Sequence, residues 1–180
     1  MKDRRYLWFA PNAGLWPSFR LEHRLADALA RNGSAVTMVQ CGGVLDSYCP
    51  VMSADRLRVD SPRSAKQESC RDCRFNAGIA RERAVYRAVL LDGYVTTQVK
   101  DTATALARSV TPSTWADLVV DDIPVGRYAA YLSLLHHKVP EVAATAAAWA
   151  EYVSDLRNAL LVLKALPALF EDVDPTHVVA

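Results

Sequence analysis

Residues 4–41 read "RRYLWFAPNAGLWPSFRLEHRLADALARNGSAVTMVQC", and this stretch decides the fold. Arg5 to Ala10 form a short apolar run closed by the turn cluster Pro11-Asn12-Ala13-Gly14. A run of that length between turn residues reads as a buried strand. A helical pattern follows. Ser18 is a candidate N-cap, Leu21, Leu25, Ala28 and Leu29 recur on one face, and Gly33 is a natural stop. "SAVTMVQC" (residues 34–41) is apolar and β-branched, a second strand. Strand, helix and strand in that order favour a parallel pair, which requires helices on both faces of the sheet. The expected class is α/β, with 180 residues forming a single domain, 1–180.

Further along, the pattern is mixed. Gly42 to Ser69 reads as a long irregular section punctuated by Pro50 and Pro62. A loop of that length inside a compact domain needs a tether or a function. Cys70 to Val89 reads as a helix capped by Ser69, and "GYVTTQV" (93–99) as a short strand. "KDTATALARSV" (100–110) and "VGRYAAYLSLLHHK" (125–138) read as helices, with "WADLVVDDIP" (115–124) as an extended connection between them. Pro140 opens a long helix whose buried stripe is Val142, Ala146, Trp149, Val153, Leu156, Leu160 and Leu163. "THVVA" (176–180) reads as the start of another buried strand, with the expectation that more sequence follows it.

Composition excludes some classes. Net charge is +1, so the chain as a whole is not an electrostatic nucleic-acid binder. The charge is uneven: Asp55 to Arg87 hold nine Lys/Arg against five Asp/Glu, while the segment from Val139 onward holds two against six. The basic stretch suits a solvated face or, at most, peripheral contact with an anionic lipid surface. The longest apolar run, "ALLVLKALPALF" (159–170), is broken by Lys164 and Pro167 and is too short to span a bilayer. The amino-terminal residues lack the apolar centre of a signal peptide, and the expected location is cytoplasmic.

The chain has four cysteines, Cys41, Cys49, Cys70 and Cys73. Cytoplasmic cysteines are free thiols or metal ligands more often than disulfides. A Cys-x-x-Cys knuckle sets two thiolates on one side of a tight turn, and a distant pair completes a tetrahedral set. The expectation is a structural zinc on all four cysteines, clamping the Gly42–Ser69 loop. An iron–sulfur cluster also takes four thiolates. A thioredoxin-like redox pair fits less well, because "QES" before Cys70 does not read as a strand.

The opening strand, the "PNAG" loop, a second strand ending in "CGG", a later cysteine and then "CxxC" carry a resemblance. So do "DIPVGRYAAYLSLLHH" and "FEDVDPTHVVA". Together they resemble the N-terminal half of bacterial GT-B-type glycosyltransferase-like proteins of capsule and surface-polysaccharide biosynthesis. The resemblance implies a Rossmann-like, acceptor-side domain, with the donor-binding half absent from this chain. It implies a donor-binding domain or subunit as partner, a sugar acceptor as ligand, and transfer of a sugar from a nucleotide-sugar donor. The alternative is a non-catalytic, zinc-stabilised α/β binding module acting with a partner protein.

In open α/β sheets, ligands gather beyond the carboxyl ends of the strands. Asn12, Gly14 and Trp16 are therefore the candidate substrate contacts: a donor–acceptor amide, a close backbone approach and a flat stacking surface. There is no GxGxxG, so no dinucleotide site is expected. His23 is a possible base for an attacking hydroxyl, but its position on the helix points to solvent. His136 and His137 suit a helix carboxyl end without further role. Asp121 and Asp122 read as a solvated turn. No residue is assigned as catalytic.

Overall fold

The computed structural model describes residues 4–180. The reading of residues 1–12 as no signal peptide falls partly on residues 1–3, outside the described residues. The elements run β1 (Arg5–Phe9), α1 (Trp16–Arg31), β2 (Ala35–Gln40), α2 (Pro50–Ala54), α3 (Arg63–Glu82) and β3 (Arg87–Leu90). They continue with α4 (Thr97–Ser109), α5 (Val125–His137), α6 (Ala146–Val173) and β4 (His177–Val179). Short 3-10 turns at Leu91–Tyr94 and Trp115–Asp117 join them. The fold is α/β with one parallel sheet in the order β3-β2-β1-β4.

Strand β1 pairs with β2 from Arg5↔Ala35 to Phe9↔Val39, and with β4 from Tyr6↔His177 to Trp8↔Val179. Strand β2 pairs with β3 from Thr37↔Arg87 to Gln40↔Leu90. Alternation along the strands splits the core. Trp8, Val36 and Met38 pack with Phe19 and Ala26 of α1 and Ala77 and Ala80 of α3. Leu7, Thr37 and Val39 alternate to the opposite face, and all three are buried.

The chain divides into two compact units: one of residues 1–94 with 165–180, the other of residues 95–164. The whole sheet belongs to the first. In the second, α4, α5 and the first part of α6 pack without strands. Residues 151–161 of α6 alternate between buried and half-buried around the whole helix. This stretch buries polar residues with its apolar ones: Glu151, Ser154 and Asn158 are buried beside Tyr152, Leu156, Leu160 and Leu161. Trp115 and Tyr152 meet edge to face at 5.5 Å.

Several expectations need correction. In α1 the buried residues are Phe19 and Ala26, whereas Leu21 and Leu25 are exposed. Phe19 and Ala26 carry the buried face and Leu29 packs partly against it, whereas Ala28 is exposed as well. Helix α1 begins at Trp16 with Pro17 in its first turn, and Ser18 lies inside it. The Gly42–Ser69 loop is interrupted by α2, and α3 starts at Arg63, seven residues before Cys70. Ser69 is therefore no cap; its hydroxyl donates to Asp55 Oδ2 at 2.6 Å.

The tether expected from cysteines is supplied otherwise. Val44, Leu45 and Tyr48 are buried, and the Lys66 amine donates to the Ser47 carbonyl at 3.0 Å and to the Val59 carbonyl. Residues 93–99 form the end of a turn and the start of α4, while the strand is Arg87–Leu90. Helix α6 begins at Ala146, six residues after Pro140, and of the expected stripe Val142, which precedes the helix, Leu156 and Leu160 are buried. Strand β4 exists but is largely exposed.

Gly42 and Gly43, directly after β2, have φ of +69° and +104°. Such angles cost an L-residue about 1–2 kcal/mol, and a Cβ at Gly42 would overlap the Asp92 carboxylate. Gly42→Ala is expected to destabilise the fold by about 1–3 kcal/mol. In urea unfolding this lowers the midpoint with an unchanged slope.

Candidate functional site

A cavity of about 400 Å3 lies at the carboxyl ends of β1, β2 and β3. Pro11, Asn12 and Ala13 after β1, Cys41 to Gly43 after β2, and Leu90 at the end of β3 line it. Helix α3 closes it with Cys70, Cys73, Arg74, Ala77 and Arg81, which recur at helical spacing on one face. Cys49, the cap residue of α2, and Val51 complete the wall. All four cysteines therefore face one space, although up to 32 positions separate Cys41 from Cys73 in the chain.

The thiols are free and half-buried. The Gly14 N–H donates to Cys73 Sγ at 3.1 Å, and the Leu45 N–H donates to Cys41 Sγ at 3.4 Å. Burial pushes the Cys49 and Cys70 thiols up, and takes Cys73 to about 11. The neighbouring Cys41, Cys49 and Cys70 add to that rise at Cys73, and the Gly14 N–H works against it. These three thiols are protonated at neutral pH, the reverse of the depressed thiol that disulfide exchange needs. Cys70 and Cys73 sit inside a continuous helix, so the expected knuckle turn is not formed. Among the described residues, no three His, Cys, Asp or Glu side chains are arranged to hold a single metal ion.

Positive charge accompanies the sulfurs. Arg71, Arg74 and Arg81 all line the cavity. Arg81 donates to Gln40 Oε1 at 2.6 Å, which anchors it to the end of β2. Arg71 lies 3.4 Å from Glu68 and 3.6 Å from Asp72.

Of the expected substrate contacts, only Asn12 lines the cavity. Gly14 lies behind it: its N–H meets Cys73, and an added Cβ would overlap Val51. Trp16 is set apart, with the Arg20 guanidinium over its ring at 5.6 Å. His23 is half-buried. Its Nδ1 and the Tyr86 hydroxyl share a 2.7 Å hydrogen bond. Burial lowers the imidazole and pushes Tyr86 up to about 12, so the phenol donates and His23 stays neutral. His23 does not line the cavity.

The second unit holds a cluster missed by sequence reasoning. His136 Nδ1 donates to Glu151 Oε1 at 2.6 Å, and His137 Nε2 donates to Glu151 Oε2 at 3.1 Å. The two histidines thus pair with one buried carboxylate rather than with the helix end alone. Burial, then repulsion from Glu151, raises Asp155 to about 7. Asp121, expected in a solvated turn, accepts from Lys164 at 2.8 Å. No helix among the described residues is long and apolar enough to cross a membrane.

Asp155 ties stability to pH. Its folded value lies above the unfolded carboxylate value of about 3.9, so its contribution is complete below pH 4. It is lost as pH rises through 7. Asp155→Asn is expected to raise stability at pH 8 by on the order of 3 kcal/mol and to flatten the fall between pH 4 and 8. Urea unfolding of both proteins across that range measures it; an unchanged slope refutes it. No protein-family model, curated protein or solved structure matches the chain.

Proposed function

We propose that this chain is the acceptor-side, Rossmann-like half of a glycosyltransferase acting in polysaccharide biosynthesis. The observation that supports this reading is the cavity at the carboxyl ends of β1 to β3, where open parallel sheets receive ligands. Its size suits one or two sugar units. Asn12 offers an amide donor and acceptor to a hydroxyl, and the cavity arginines offer donors to an acidic or phosphorylated acceptor. The nucleotide-sugar donor would be held by a second domain or subunit, in the cytoplasm. Among the cavity residues no histidine or carboxylate stands ready to deprotonate an attacking hydroxyl, so that group too would come from the donor-binding partner.

A second reading has its own support. Four cysteines lining one cavity favour the alternative, a non-catalytic, zinc-stabilised α/β binding module that acts with a partner protein. Both readings predict a sugar or anionic ligand at Asn12, and only the first predicts turnover when a donor-binding partner is added.

Calorimetric titration with acidic oligosaccharides tests the site. Binding is expected, and Asn12→Ala should weaken it about fivefold, the value of one lost hydrogen bond. Nucleotide sugars should not bind tightly to the chain alone. Tight nucleotide-sugar binding without any oligosaccharide binding would overturn the acceptor-side assignment.

A further inference from the structure

We propose that Cys41, Cys49, Cys70 and Cys73 together ligate a cubane [4Fe–4S] cluster at the carboxyl edge of the sheet. This inference stands apart from the glycosyltransferase reading and does not depend on it.

Convergence is the first ground. The four thiols come from three segments: the end of β2, the cap of α2 and the middle of α3. They line a single cavity of about 400 Å3. A mononuclear zinc gathers its four sulfurs at about 2.3 Å from one point and needs no volume of this kind. Four iron and four sulfide atoms occupy a volume, and the thiolates stand on its corners.

Spacing is the second ground. Cys70 and Cys73 are neighbours one helical turn apart, where Cβ atoms stand roughly 5–6 Å from each other. The Cys-x-x-Cys spacing is one of those by which iron–sulfur clusters are held.

The surroundings supply what a cluster needs. Backbone N–H groups of Gly14 and Leu45 already donate to two of the sulfurs, the kind of hydrogen bond that tunes cluster potentials. A [4Fe–4S] core in its oxidised resting state with four thiolates carries a net charge of about −2. Arg71, Arg74 and Arg81 on the same wall offset that charge. Gly43 comes close to Cys70 without covering it: a Cβ there would sit 3.7 Å from Sγ. With all four corners bound by cysteine, no iron is left open to substrate, so the cluster ties the segments together or passes electrons.

The test uses the full chain, purified without oxygen and reconstituted with ferrous iron and inorganic sulfide. About four irons and four sulfides per chain are expected, with a broad visible absorption that bleaches on reduction. Single outer-shell changes already cost metal sites about 10–100-fold in affinity. Cys70→Ser/Cys73→Ser, which removes two ligands, should therefore reduce bound iron by more than about tenfold. Circular dichroism checks that the variant folds; if it does not, the wild-type stoichiometry alone decides. One tightly held zinc per chain that iron and sulfide do not replace would overturn the proposal. So would wild-type protein that binds no iron, or a folded double variant that keeps its full complement.

Discussion

Strand β1 is hydrogen-bonded on both edges, to β2 and to β4, and everything else in the first unit follows from that constraint. A strand paired on both sides within a parallel sheet must be covered above and below, because its neighbours cannot return by hairpins. The crossover from β1 to β2 therefore has to be a helix, and α1 provides it. Its Phe19 and Ala26 seat against Trp8 and Met38. Once α1 and α3 share that face, the carboxyl ends of three strands are left facing the middle of α3. The cavity is the consequence of that arrangement, and the cysteines are set into its wall.

The central part of this architecture was legible because the signals were local. An apolar run, a turn cluster and a glycine stop mark β1, α1 and β2 within a few residues of where they lie. What was missed depends on partners far along the chain or on small residues. Arg63 to Ser69 is polar, yet Arg, Ala, Lys, Gln and Glu are good helix formers, and α3 begins there. Starting the helix at Cys70 hid the common face of Cys70, Cys73, Arg74, Ala77 and Arg81. That spacing was available in the sequence and would have exposed the arginine lining. Strand β3 has four residues with Arg87 at its head, too little pattern to distinguish it from a helix end. The pairing of His136 and His137 with Glu151 spans a change of helix, and no local period records it.

The site itself was half legible. Asn12 and the four cysteines were named from turn chemistry and spacing, and all five line the cavity. Gly14 and Trp16 were named for the same loop, but the backbone turns between them. One faces Cys73 and the other lies under Arg20. The expected loop clamp has a different physical basis: buried Tyr48, Val44 and Leu45 and the Lys66 amine already hold residues 44–59. The sulfurs are thereby released from a purely mechanical duty that the loop length had suggested.

The bond from the Gly14 amide to Cys73 joins the loop after β1 to the sulfur wall. An amide hydrogen is drawn more strongly to a charged sulfur than to a neutral thiol. A change of charge at Cys73 would therefore alter the pull on the Gly14 amide. That amide lies two residues along the chain from Asn12 in the cavity wall.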